Sequence, residues 1–271
     1  MDVLLTGAGG RVGTALRREL DDVALALTDR REVPDAETHV ADMRDYEEFR
    51  AAFEGRDAVV HLAHDTDLHW QVTEVAWTPV LLDNLRGTVN AFRAAVEAGV
   101  DTLVFASTIH VVGAIEREGA PGIYEPDRPP VADHTDAAPD SMYAVVKLFG
   151  EALARFCADE HGLRCYCLRL GAVHAVGEDH PYAGPERAVT AEDLERGSAA
   201  YERRVAKAKA HWCSHRDLAD LVRRCLSADE PAFDVFYAVS DNARRWVDID
   251  HAREAVGYAP RDDAEEWSGP P

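Results

Sequence analysis

Apolar residues recur along this chain at two periods, and their alternation lays out an architecture. Residues 2–6, 23–28, 37–40, 57–63, 101–107 and 163–170 form short apolar runs, the pattern of strands buried on both faces. Residues 14–20, 45–53, 74–98 and 143–161 instead repeat apolar positions three and four apart, as helices do when one face packs on a core. Gly55 and Gly99 stand just past two of these helices, where a left-handed residue ends one. Strands alternating with helices predict an α/β fold, a doubly wound parallel sheet that binds ligands at the carboxyl ends of its strands.

Beyond residue 170 the strict alternation stops. Residues 177–190 read as loop, 191–210 as a charged helix, 215–226 as another helix, 233–239 as a late strand and 248–256 as a short helix. Residues 111–140, rich in Pro, Gly and Asp, read as a loop across the pocket mouth. The expected division is a cofactor domain over 1–170 and a small substrate-binding region over 171–271 that does not fold independently.

The first strand runs into Gly7, Gly10 and Gly13, a Gly-x-x-Gly-x-x-Gly turn at the start of a helix. In that context the first glycine allows the tight turn and the second lets backbone approach a pyrophosphate. The third permits close helix–strand packing, with the helix N-terminus facing the anion. This is the turn of a Rossmann sheet. The second strand ends in Asp29, about 20 residues on, where a carboxylate accepts from ribose hydroxyls. Arg30 and Arg31 follow and suit a 2′-phosphate instead, so NAD is expected with NADP as the alternative. Asp42 and Met43 are placed against the adenine, and Leu62 and Ala63 along the cofactor. His61, His64, His69, Asp65 and Asp67 cluster, but at spacings that match no ligand frame; they read as a polar loop, and no metal is assigned.

Tyr143 and Lys147 lie one helical turn apart, so phenol and ammonium share a face. A fixed cation lowers the phenol from its ordinary pKa of about 10, which would make Tyr143 a base for an alcohol. Ser107 and Thr108 put hydroxyls at a strand end nearby.

Charge changes the picture of the surface more than that of the fold. The 271 residues carry a net charge of −21, and only Lys147, Lys207 and Lys209 are lysines. Carboxylates spread along the whole chain argue against nucleic-acid or anionic-membrane partners. Such a surface resembles those of proteins from salt-loving organisms, where molar salt shortens the Debye length to about 3 Å. No apolar run reaches the length of a membrane span and residues 1–6 read as a strand, so a cytoplasmic protein is expected. Cys157, Cys165, Cys167, Cys213 and Cys225 are odd in number and scattered, as reduced structural thiols are.

Taken together, these residues resemble the extended short-chain dehydrogenase/reductase family, also called the NAD-dependent epimerase/dehydratase family. The likeness is carried by residues 6–13, Asp29, Asp42 with Met43, residues 61–63, Asn84 to Thr88, residues 105–110 ahead of Gly113, and Tyr143 with Lys147. Within the family it is closest to uronate dehydrogenases and similar sugar dehydrogenases, through residues 104–110, 143–155, 212–215 and 256–260.

The resemblance implies Thr108, Tyr143 and Lys147 as catalytic residues, with Thr108 and not Ser107 holding the substrate hydroxyl. It adds Arg11, Val12, Asn84, Ala106 and Leu170 to the cofactor site, and Thr66, His110 and Lys207 to the substrate site. The implied reaction is oxidation of a free sugar, a hexuronate or a neutral aldose, at its anomeric carbon to the lactone. It implies a dimer or larger oligomer, pairing through the helices near 74–98 and 143–161. Two positions depart from a uronate dehydrogenase: Ile109 replaces an Asn, and Lys207 stands where an Arg grips the substrate carboxylate, with Arg203 and Arg204 as alternatives. A nucleotide-sugar epimerase or dehydratase and a non-catalytic dinucleotide-binding protein remain the competing readings.

Overall fold

In a computed structural model of the chain, residues 1–68 and 78–271 are described. All seven predicted strands form, as β1 (Asp2–Thr6), β2 (Ala24–Asp29), β3 (His39–Val40), β4 (Ala58–His61), β5 (Thr102–Thr108), β6 (Arg164–Leu170) and β7 (Phe233–Ala238). They make one parallel sheet in the order β3-β2-β1-β4-β5-β6-β7. The order reverses between β1 and β4, which opens a crevice at their carboxyl ends.

Strand side chains alternate between two buried layers. Leu4, Val59, Leu103, Phe105, Cys165 and Cys167 pack beneath α2 (Tyr46–Arg50), α3 (Pro79–Ala98) and α5 (Met142–His161). Val3, Leu5, Val60, Val104, Tyr166 and Phe236 face the other way, with α1 (Arg11–Glu19) and α8 (His215–Ser227). The five cysteines are buried free thiols.

Helix ends follow local chemistry. Ser141 caps α5 by accepting from the Ala144 N–H at 3.3 Å, and Gly162 ends that helix at φ 70°. Thr78 caps α3 and Gly99 closes it. The predicted helix start at Glu74, and His69, lie outside the described residues.

The structure corrects three predicted segments. Residues 111–140 are not all loop: they contain α4 (Gly113–Gly119) and a short 3-10 turn at Gly122–Tyr124, held by apolar Val112 and Ile123 in the core. Residues 177–190 contain α6 (Ala183–Thr190), and the charged helix begins only at α7 (Ala199–His211), where Ser198 caps it. The last helix, α9 (Asp250–Val256), is followed by Gly257 at φ 73°. No helix among the described residues is long and apolar enough to cross a membrane.

Candidate active site

A cleft of about 1160 Å³ opens along the carboxyl ends of the strands. One half is built on the glycine turn. Gly7 has φ +69°, and a Cβ there would lie 2.8 Å from Ala63 N; one on Gly13 would lie 2.4 Å from Gly7 O. Neither position tolerates a side chain. No side chain caps α1, whereas α3, α5, α7 and α8 are capped by Thr78, Ser141, Ser198 and Ser214. The first-turn N–H groups of α1 therefore face the cleft beside Gly9 and Gly10, as a diphosphate requires. Asp29 ends β2 against this turn and accepts from Gly9 N at 2.9 Å. Thr6 draws β1 and β4 together: its Oγ accepts from Leu62 N and Ala63 N at 3.2 Å and lies 2.7 Å from His61 Nδ1. Burial pushes His61 down to about 3, so that ring is neutral.

Most of the predicted cofactor residues line this half: Gly7, Gly10, Arg11, Val12, Gly13, Asp29, Arg30, Asp42, Met43, Leu62, Ala63, Ala106, Tyr143, Lys147 and Leu170. Asn84 does not. Its amide is spent holding the 63–68 loop, accepting from Asp65 N at 2.8 Å and donating to Asp65 O and Val80 O at 3.2 and 2.8 Å. Asp42 is also engaged, since Arg44 donates to it at 2.9 and 2.6 Å and holds its carboxyl below the usual range. Arg30 leans toward Asp65, 3.8 Å away.

The other half gathers the predicted chemistry. Thr108 ends β5 and hydrogen-bonds the Tyr143 phenol. Neighbouring Ser107 faces inward and donates to Glu151 at 2.5 Å, within a buried pair in which Arg169 binds Glu151 at 3.0 and 2.9 Å. Alternation along the strand thus leaves Thr108 as the hydroxyl facing the cleft. Lys147 is buried one turn beyond Tyr143, with Nζ 5.9 Å from the tyrosine ring centroid. Burial lowers the Lys147 pKa to about 8 and raises that of Tyr143, against which the Thr108 hydrogen bond works. Burial thus acts on the phenol in the direction opposite to the one expected of a neighbouring cation.

His110 faces the cleft with Nδ1 2.8 Å from Asp140 Oδ2, and Thr66 lies at the rim. Lys207 faces the cleft too, but its ammonium sits 3.0 Å from the buried Glu116. Tyr124 OH also donates to Glu116, and His211 Nε2 lies 2.8 Å from it. Burial alone would raise Glu116, yet these neighbours hold it well below the carboxylate range.

Three further residues enter. His64 packs edge-on against the Tyr143 ring, centroids 5.0 Å apart, and burial lowers it to about 3. His174 lines the cleft with a buried Nε2 that has no partner among the described residues, while Arg187 reaches its Nδ1 at 3.3 Å. Arg204 of α7 lines the cleft and forms no ion pair among the described residues. His174 was open to prediction, being four residues past the end of β6. His64 was read only as part of a polar rim.

A glycine turn for a dinucleotide, continuous with a Thr–Tyr–Lys site, defines a dinucleotide-dependent oxidoreductase. The NAD dependent epimerase/dehydratase family matches residues 3–236, and the chain belongs to it. It is 35% identical to the NAD-dependent glucose-6-phosphate dehydrogenase of Haloferax volcanii, covering 98% of this chain and 95% of that one. The L-arabinose 1-dehydrogenase (NAD(P)+) of the same organism is 33% identical, with 97% of each chain covered. Among solved structures, a mutant uronate dehydrogenase from Agrobacterium tumefaciens complexed with NAD superposes with a TM-score of 0.73, at 26% identity, over 100% of this chain and 91% of that one.

Proposed function

We propose that the protein oxidises the C1 hydroxyl of a free sugar to the lactone, using NAD. The observation that carries this reading is the convergence of Thr108, Tyr143 and Lys147 on one cleft with the Gly7 to Gly13 turn. Each named relative acts on a small sugar or sugar acid, and the cleft is floored by α6 and α7 through Gly184, Pro185, Arg204 and Ala208.

Thr108 Oγ positions the substrate hydroxyl beside the Tyr143 phenol, and Tyr143 as phenolate takes its proton. NAD, when bound, would supply the hydride acceptor for C1. Lys147 keeps an ammonium at the base of the site and would hold the nicotinamide ribose. General base catalysis of this kind contributes about 10²–10⁴-fold. Asp29 would accept from the ribose hydroxyls and would repel a 2′-phosphate, which favours NAD over NADP.

Two further readings belong here. Residues 171–271 supply the substrate side and do not fold alone, since β7 completes the sheet that β1 to β6 begin. Leu82 and Val89 of α3, with Val145, Phe149 and Phe156 of α5, are exposed apolar residues on two packed helices, and they pair two copies of the chain.

The test is NADH formation with glucose 6-phosphate, glucose, arabinose, xylose, glucuronate and galacturonate in molar KCl. Turnover of at least one, with lactone as product, supports the reading. Failure on all of them alongside turnover of a nucleotide sugar overturns it.

A further inference from the structure

Far from the cleft, three side chains from separate parts of the chain converge on the edge strand. His134 comes from the segment between α4 and α5, Asp234 from β7 and His251 from α9. One ring nitrogen of each histidine and an oxygen of Asp234 all lie within 4.8 Å of one another. The imidazole rings stack with centroids 3.7 Å apart and planes 9° from parallel. His251 Nε2 lies 2.8 Å from Asp234 Oδ1. His134 Nδ1 is buried, and no group among the described residues bonds it.

A buried imidazole nitrogen without a partner calls for an explanation. A neutral imidazole carries a lone pair on one ring nitrogen, so each of these rings can offer a donor atom to a cation. Two imidazoles and a carboxylate are the donor set that late first-row divalent cations take, with water in a fourth position. We propose that His134, Asp234 and His251 form a structural site for such a cation, zinc being the representative. The candidate site is empty here. To share an ion, donors now up to 4.8 Å apart must draw in and the parallel rings must splay, because each ring plane has to point at the metal.

The site would tie three elements together. The segment before His134 already runs beside residues 246–248, with Val131 N donating to Trp246 O at 2.9 Å and Asp248 N to Ala132 O at 3.0 Å. Tyr237 OH donates to Asp133 O at 2.9 Å. An ion added there pins the strap of residues 125–140 to β7 and α9. Asp234 lies four residues before the cleft end of β7, about 13 Å at the rise of a strand, so the ion acts on stability and not on hydride transfer.

The experiment uses the full chain, stripped with chelator and then titrated with Zn²⁺ by calorimetry, and with Co²⁺ by visible absorption, in molar KCl at pH 7.5. The expected result is one saturable site per chain with micromolar affinity, visible bands of a four-coordinate cobalt centre, and a higher Tm with zinc. H134A and H251A should each bind at least tenfold more weakly and lose the Tm increase. Binding should weaken as pH falls, because protons compete with the cation for the ligand atoms. Absence of saturable binding below about 100 μM overturns the proposal, as does undiminished binding by both His variants, which would place the ion among surface carboxylates.

Discussion

Lys207 Nζ and the Glu116 carboxylate lie 3.0 Å apart in the wall of the cleft. With Tyr124 and His211 also at Glu116, the lysine charge is balanced where an anionic substrate would need it. Arg204, one turn earlier on α7, keeps its charge unpaired among the described residues. R204M should therefore raise KM for glucuronate or glucose 6-phosphate about tenfold or more, the size of one charge-assisted hydrogen bond. KM for arabinose should stay within about twofold. Steady-state kinetics on both sugar classes decide it; equal losses on the two would remove Arg204 from anion recognition.

At the strand end, Thr108 and Ser107 should separate cleanly. T108V and Y143F are expected to keep NAD binding while losing turnover by about 10²-fold or more. S107A leaves Glu151 without one donor and should lower Tm with kcat nearly intact. Activity of Y143F within tenfold of the parent would sink the proton-transfer assignment.

Lys147 carries a pH signature. Its pKa is depressed to about 8 in the folded chain, from 10.5. The ammonium is thus present below pH 8 and lost as pH rises through it, so NAD affinity of the free protein should fall between pH 7 and 9. K147M should bind NAD more weakly and show no such slope, as fluorescence titration can report. For folding the sign is opposite. The unfolded chain binds more protons between about 8 and 10.5, so this residue makes the fold more stable as pH rises through that window.

Histidines give the acid limb. His61 and His64 sit near 3 and His174 near 4, against 6.5 when exposed. Between those values and 6.5 the unfolded state binds more protons, and stability falls as pH drops below 6.5. The Tm of the cofactor-free protein at pH 5 should be lower than at pH 7, by less in a His64→Gln variant.

A charge of −21 without salt repels itself, and Tm should climb steeply from dilute buffer to molar KCl. The exposed face of α3 and α5 adds a second solution test. F149D, which puts a carboxylate amid Val145 and Phe156, should convert a dimer to monomer in sedimentation; a wild-type monomer would refute the pairing.

Legibility in the sequence divided along physical lines. The sheet was readable because both faces of its central strands are apolar, and the positions of Gly7, Asp29, Thr108 and Tyr143 because each is fixed by its place at a strand end or helix start. What Asn84 bonds was not legible, since a helix position does not reveal where the side chain spends its hydrogen bonds. Glu116 was hidden in a segment whose Pro, Gly and Asp content reads as loop, although its burial depends on partners near residues 124 and 207. The Tyr143 phenol shows the same limit: spacing gives a neighbouring cation, but only the packed structure gives desolvation.

Gly171 closes β6 against α7 so tightly that a Cβ on it would lie 2.1 Å from His211 O, and Ala172 pairs with Trp212 in an isolated bridge. That weld clamps the end of α7 to the sheet while its earlier turns present Arg204, Lys207 and Ala208 to the cleft. Held at that end, α7 offers Arg204 as a replaceable charge on the cleft wall, whereas Lys207 cannot be changed without taking a partner from the buried Glu116.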